Sequence, residues 1–94
     1  MRLEMAGVES EIFELISMKF NFSIENISSE SSLAGDLEMN SLDVVELLMT
    51  IEEAFGIEIS DEAAKTITTI KDMVFIVEKL MLNKEMEHVQ LRRW

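Results

Sequence analysis

Apolar residues recur at positions 8, 12, 15, 16 and 20, close to the 3.6-residue period of a helix, with Glu9, Glu11 and Glu14 between them. The pattern predicts a first helix over about 8–22. Residues 23–40 (SIENISSESSLAGDLEMN) are then too rich in serine and acid to form a core element. A connection this long in a compact domain is usually functional or disordered. Ile24, Ile27, Leu33 and Leu37 are spaced to pin it to a core, so an ordered loop with a short helical turn is expected.

The strongest helical signal covers 41–55. Leu42, Val45, Leu48 (with Met49) and Glu52 step round one turn at a time, and Leu47, Ile51 and Phe55 extend the apolar face. Asn40 is a favourable N-cap, Asp43 adds negative charge in the first turn, and Gly56 is a typical stop signal. "GIEI" alternates like a strand, but it is short and lacks a second strand to pair with. It is expected to be an extended connector whose two isoleucines plug the core. Ser60 then caps a short helix over about 61–66, and Thr69 caps a last helix over about 70–84. That helix bears an apolar stripe at 70, 73, 74, 77, 80 and 81. A tail, 85–94, ends in Arg92, Arg93 and Trp94 and either prolongs the last helix or frays. The expected fold is all-α: a single domain over 1–94, a small four-helix bundle of three longer helices and one short one, with a long loop between the first two.

Composition narrows the chemistry. With 94 residues and 48% apolar content, the chain can bury one core. No cysteine is present, so disulfides and cysteine-based zinc sites are excluded, and the single histidine, His88, makes a His-rich metal site untenable. No metal is expected. No apolar run approaches the roughly 20 residues needed to span a bilayer, and "MRLEMAGVESE" lacks the apolar stretch of a signal peptide. A cytoplasmic monomer with no stable membrane insertion is expected.

The net charge of −11 disfavours nucleic acid and favours basic partners. Its distribution is uneven. Eight of the nineteen acids fall on 23–55, namely Glu25, Glu30, Asp36, Glu38, Asp43, Glu46, Glu52 and Glu53, with no base among them. Charge alone leaves two readings open, a solvated face or a surface for a basic partner. A calcium loop does not fit the spacing of the acids. Serine hydrolase chemistry needs an oriented base, and His88 has no evident partner, so no catalytic residue is expected. From its immediate neighbours Ser41 reads as a serine beside a helix cap.

The longer motif changes that. "DLEMNSLDVVELLMTIEEAFGIEISDEAAKTITTI", residues 36–70, resembles the acyl carrier proteins, whose typical run is D-L-G-x-D-S-L-D-x-V-E-L-x-x-x-L-E-E-x-F-G-I-x-I-x-D-E followed by I-T-T-V. The resemblance implies that Ser41 is the attachment point for 4′-phosphopantetheine, delivered from coenzyme A by a holo-acyl-carrier-protein synthase. The arm then carries acyl groups as thioesters to enzymes of fatty-acid, lipid or related biosynthesis, and the protein is not itself an enzyme. It further implies that Asp36, Asp43, Glu46, Glu52 and Glu53 dock on basic patches of acyl-transferring and acyl-modifying enzymes, that Leu42 contacts those partners, and that Val45 faces either a partner or the pocket for the acyl chain. Met39, beside the serine, is the methionine of most interest.

The sequence also departs from the family pattern. Asn40 replaces the usual aspartate and Glu38 the usual glycine; Lys65 stands at an often acidic position and Ser60 where proline is common. These departures suggest a specialised carrier. Two alternatives remain at this point. A peptidyl or aminoacyl carrier often has "NSL", but in a G-G-N-S-L setting that is missing here. The other is an unmodified acidic interaction protein in which Ser41 is only part of a cap.

Overall fold

A computed structural model describes the backbone of residues 2–92 and the side chains of 7–83. Its elements are α1 (Arg2–Phe20), a single 3-10 turn (Ile24–Asn26), α2 (Ser41–Phe55), α3 (Asp61–Lys65) and α4 (Ile70–Arg92). The fold is all-α, with three longer helices and one short helix. α1 packs against both α2 and α4. No described helix is long and apolar enough to cross a membrane.

The core draws on α1, α2, α4 and the loops that join them. α1 contributes Val8, Ile12 and Ile16, α2 contributes Leu47 and Ile51, and α4 contributes Ile70, Met73 and Val77. Ile57 of the connector is buried as well, and Ile59 packs against the same cluster, so both isoleucines of "GIEI" plug the bundle. Each fully buried side chain of this size contributes about 1.5–3 kcal/mol relative to exposure.

The helix ends differ from the expected boundaries for identifiable reasons. α1 begins at Arg2 rather than near 8, so Gly7 lies inside the helix, where glycine costs about 1 kcal/mol relative to alanine without ending it. It stops at Phe20 rather than 22 because Asn21 adopts left-handed φ 63, a helix-ending conformation. The Ser17 hydroxyl bonds the Phe22 carbonyl across this turn. α3 ends at Lys65, with Thr66 closing it through N–H bonds to the carbonyls of Ala63 and Ala64. α4 runs to Arg92, past the last position of its apolar stripe, through residues with good helical propensity. Arg93 and Trp94 lie outside the described residues.

The long loop is ordered by three means. Ile27, Leu33, Leu37 and Met39 are buried in the core, whereas Ile24, expected to pin the loop, is exposed in the 3-10 turn. The Ser31 hydroxyl accepts the Ser28 N–H at 3.0 Å. The backbone is also bonded to the start of α4: Leu33 N–H to Thr68 carbonyl (2.9 Å), Ile70 N–H to Ser31 carbonyl (3.1 Å) and Lys71 N–H to Ser29 carbonyl (2.7 Å).

That junction is held by Asp72. Its carboxylate accepts the N–H groups of Thr68 and Thr69 at 3.0 and 3.1 Å, while the Thr69 hydroxyl accepts the Asp72 N–H at 3.2 Å. The Thr68 and Thr69 N–H bonds hold the Asp72 carboxyl below the ordinary carboxylate range.

Candidate functional site

Ser41 is the first residue of α2, and its surroundings follow from its neighbours. Asn40 is extended (φ −89, ψ −179) and its Oδ1 accepts the Asp43 N–H at 2.8 Å. Asp43 Oδ2 accepts the Asn40 N–H in return, at 3.2 Å, completing a capping box. The Asn40 carbonyl accepts the Val44 N–H at 3.0 Å. The helix start is therefore secured by its third and fourth N–H groups.

Among the described residues, no group bonds the N–H of Ser41 or Leu42, or the Ser41 hydroxyl. Ser41 is exposed. An exposed hydroxyl thus sits beside two unpaired amide donors at the positive end of a helix, an arrangement that favours an attached or approaching anion.

The two sides of α2 separate cleanly. Leu47 and Ile51 are fully buried, with Val44, Leu48 and Phe55 packed beside them. Leu42, Val45 and Met49 are 64%, 50% and 57% exposed. The apolar face expected from sequence therefore divides, and Leu42, Val45 and Met49 do not belong to the core. Helical spacing sets these three on one outward face with the exposed Glu46 and Glu53. Met49 was missed as a surface residue because its hydropathy matches that of its buried neighbours. Only its angle relative to α1 distinguishes it.

Asp36, Asp43 and Glu52, the other acids that the family resemblance assigns to partners, bond within the chain. Asp36 Oδ2 accepts the Ser32 N–H at 2.9 Å, and the Ser32 hydroxyl accepts the N–H groups of Gly35 and Asp36 at 3.1 and 3.0 Å. Asp43 is half-buried in the cap, and half-buried Glu52 accepts the Ile59 N–H at 2.7 Å. Glu38 is exposed, with left-handed φ 55, between the buried Leu37 and Met39. Met39 is a core residue. No group of three or more His, Cys, Asp or Glu among the described residues could hold a metal ion. An open groove of about 420 Å³ between α3 and α4, lined by Phe75, Ile76, Lys79 and Leu80 among others, includes none of the sequence-predicted site residues.

Comparison with known proteins gives a consistent result. The family model described as "phosphopantetheine attachment site" matches residues 10–74. The acyl carrier protein of Buchnera aphidicola subsp. Baizongia pistaciae is 39% identical over 75 residues, covering 80% of this chain and 96% of that protein. That of Syntrophobacter fumaroxidans is 41% identical over 71 residues, covering 76% and 88%. The crystal structure of an acyl carrier protein from Thermotoga maritima superposes with a TM-score of 0.73 at 29% identity, covering 85% of this chain and 93% of that one. Matched in sequence along most of its length and in the arrangement of its helices, the chain belongs to the acyl carrier protein family, non-catalytic carriers whose prosthetic group is 4′-phosphopantetheine.

Proposed function

We propose that Ser41 carries the 4′-phosphopantetheine and that the outward face of α2 presents it to partner enzymes. The observation that carries this reading is the exposed, unpaired hydroxyl at the first position of a capped helix. When bound, the group supplies a flexible arm whose thiol holds acyl chains as thioesters. The residues present fit it. The N–H groups of Ser41 and Leu42 are available to a phosphodiester oxygen, and an anion at a helix N-terminus gains about 0.3–1 kcal/mol. Asn40 and Asp43 keep the helix start rigid without using the serine itself.

Leu42, Val45 and Met49, with Glu46 and Glu53, form a mixed apolar and acidic face suited to an enzyme with a basic rim around an apolar patch. A holo-acyl-carrier-protein synthase and acyl-processing enzymes of fatty-acid or lipid biosynthesis are the proposed partners. The expectation of a cytoplasmic monomer belongs to the same proposal.

The test is to incubate the apo protein with coenzyme A and a holo-synthase and measure intact mass. A single phosphopantetheinyl adduct is expected, and none in Ser41→Ala. An adduct that survives Ser41→Ala, or none with any of several synthases, overturns the assignment.

A further inference from the structure

Glu52 gathers three backbone donors from the segment that follows α2. Its carbonyl accepts the N–H groups of Gly56 at 2.9 Å and Ile57 at 3.1 Å, and its Oε2 accepts the Ile59 N–H at 2.7 Å. Gly56, left-handed at φ 66, turns the chain so that residue 59 comes back within reach of a side chain seven positions earlier. Ile57 and Ile59 then enter the core, and Ser60 caps α3 by accepting the Ala63 N–H at 3.1 Å.

α3 has little else to hold it. It is five residues long, and none of them is buried. A helix this short is marginal by itself. Its place is therefore set largely by the chain entering and leaving it. On the leaving side Ile67 packs against the core and Ile70 is buried in it; on the entering side Ile59, the last residue before Ser60, is held by its side chain against the core and by its N–H on the Glu52 carboxylate. A bond from an amide to an ionised carboxylate is among the stronger neutral-to-charged contacts. Glu52 is half-buried, unlike Glu46 and Glu53, whose carboxylates bond no described group.

We propose that Glu52 is a positioning residue: its carboxylate fixes the connector, and thereby the start of α3, to the end of α2, and its charge is not part of the face that meets partner enzymes. This deepens the carrier reading and rests on it only for the half of the test that uses loading.

The test compares Glu52→Gln, Glu52→Ala and Glu46→Gln in the full chain. Amide hydrogen exchange is followed at Ile59 and across α3, and kcat/KM is measured for phosphopantetheine loading from coenzyme A by a holo-synthase. Glu52→Ala is expected to speed exchange at Ile59 and α3 by about ten- to a hundredfold, as loss of a charge-assisted bond implies. Glu52→Gln, whose amide oxygen can still accept, recovers most of that protection and most of the loading lost in Glu52→Ala. Glu46→Gln lowers loading and leaves exchange unchanged. Unchanged exchange in Glu52→Ala overturns the positioning role whether or not the chain can be loaded. Equal loss of loading in Glu52→Gln and Glu52→Ala, with Ile59 still protected, assigns Glu52 to docking instead. Failure to load the unsubstituted chain strikes the carrier reading alone and leaves the exchange result to decide.

Discussion

Asn40 and Asp43 cap each other across the first turn of α2, each backbone N–H bonded to the other's side-chain oxygen, at 2.8 and 3.2 Å. The pair leaves Ser41 between them with its hydroxyl unengaged. Because the amide oxygen serves as well as a carboxylate oxygen at this position, Asn40 is a sufficient substitute for aspartate in folding terms. Asn40→Ala is expected to destabilise the protein by about 1 kcal/mol. Asn40→Asp should stay within about 0.5 kcal/mol, since added attraction to the helix dipole is offset by repulsion from Asp43. Urea unfolding of the two variants checks both values. A loss in Asn40→Asp as large as in Asn40→Ala is incompatible with the cap as described.

Glu38 carries backbone strain that glycine would relieve. It holds φ 55 because Leu37 and Met39 on either side are fixed in the core, with their N–H groups bonded to the carbonyls of Ser32 and Leu33. A left-handed residue with a Cβ costs about 1–2 kcal/mol, and glycine returns part of that as extra freedom in the unfolded chain. Glu38→Gly is therefore expected to stabilise by about 0.5–1 kcal/mol in urea unfolding. Glu38→Ala, which keeps the Cβ, should not.

These two positions show what local sequence discloses. The cap at Asn40 and the stop at Gly56 rest on residue chemistry within one turn, so both ends of α2 were legible. The side of α2 that faces inward was not. Apolar residues stand at 42, 44, 45, 47, 48, 49 and 51, almost all round the helix, so periodicity cannot choose among them; the family resemblance sets only Leu42 and Val45 apart, and packing against the other helices selects Leu47 and Ile51 and leaves Met49 outside. Ser41 was singled out by the motif around it, not by its immediate neighbours. The internal use of Glu52 was hidden for a different reason. It depends on a left-handed turn at Gly56 that brings Ile59 back to it, so composition showed a charge without its partner.

Gly35 is fixed by a close approach. A Cβ there would sit 2.7 Å from the Ser32 hydroxyl oxygen, which accepts the N–H groups of Gly35 and Asp36. The hydroxyl could rotate away only by giving up those bonds. Gly35→Ala is expected to cost about 1–2 kcal/mol, roughly one to two net hydrogen bonds. Made in a Ser32→Ala background, the same substitution should cost much less, since the obstructing atom is gone. Full additivity in this double-mutant cycle would mean that the contact is not what constrains the glycine.

Asp72 gives the junction of loop and α4 a pH dependence of known sign. Its folded pKa lies below the ordinary value because the ionised form accepts the Thr68 and Thr69 N–H groups. The unfolded state therefore binds the proton more readily. The stabilisation is fully present above roughly pH 4 and is lost as pH falls through the depressed folded value. Asp72→Asn should be less stable than the unsubstituted chain at pH 7, and the gap should close in acid. Urea midpoints at several pH values test this. A gap independent of pH would show that the carboxylate charge has no part in holding the junction.

Leu42 and Leu47 lie on the same helix with opposite surroundings, one 64% exposed and the other fully buried. Leu47→Ala leaves a cavity among core residues contributed by the other helices and should cost about 2–5 kcal/mol. Leu42→Ala removes a side chain already largely in water and should change stability by less than about 0.5 kcal/mol. If the outward face of α2 meets the holo-synthase, that same Leu42→Ala should lower kcat/KM for loading by about tenfold, as truncation of an apolar anchor does. Thermal unfolding and loading kinetics on the two variants separate the faces. A Leu42→Ala variant that is fully stable and loads normally would remove Leu42 from the docking surface. One that unfolds as readily as Leu47→Ala would show that α2 is turned differently against α1.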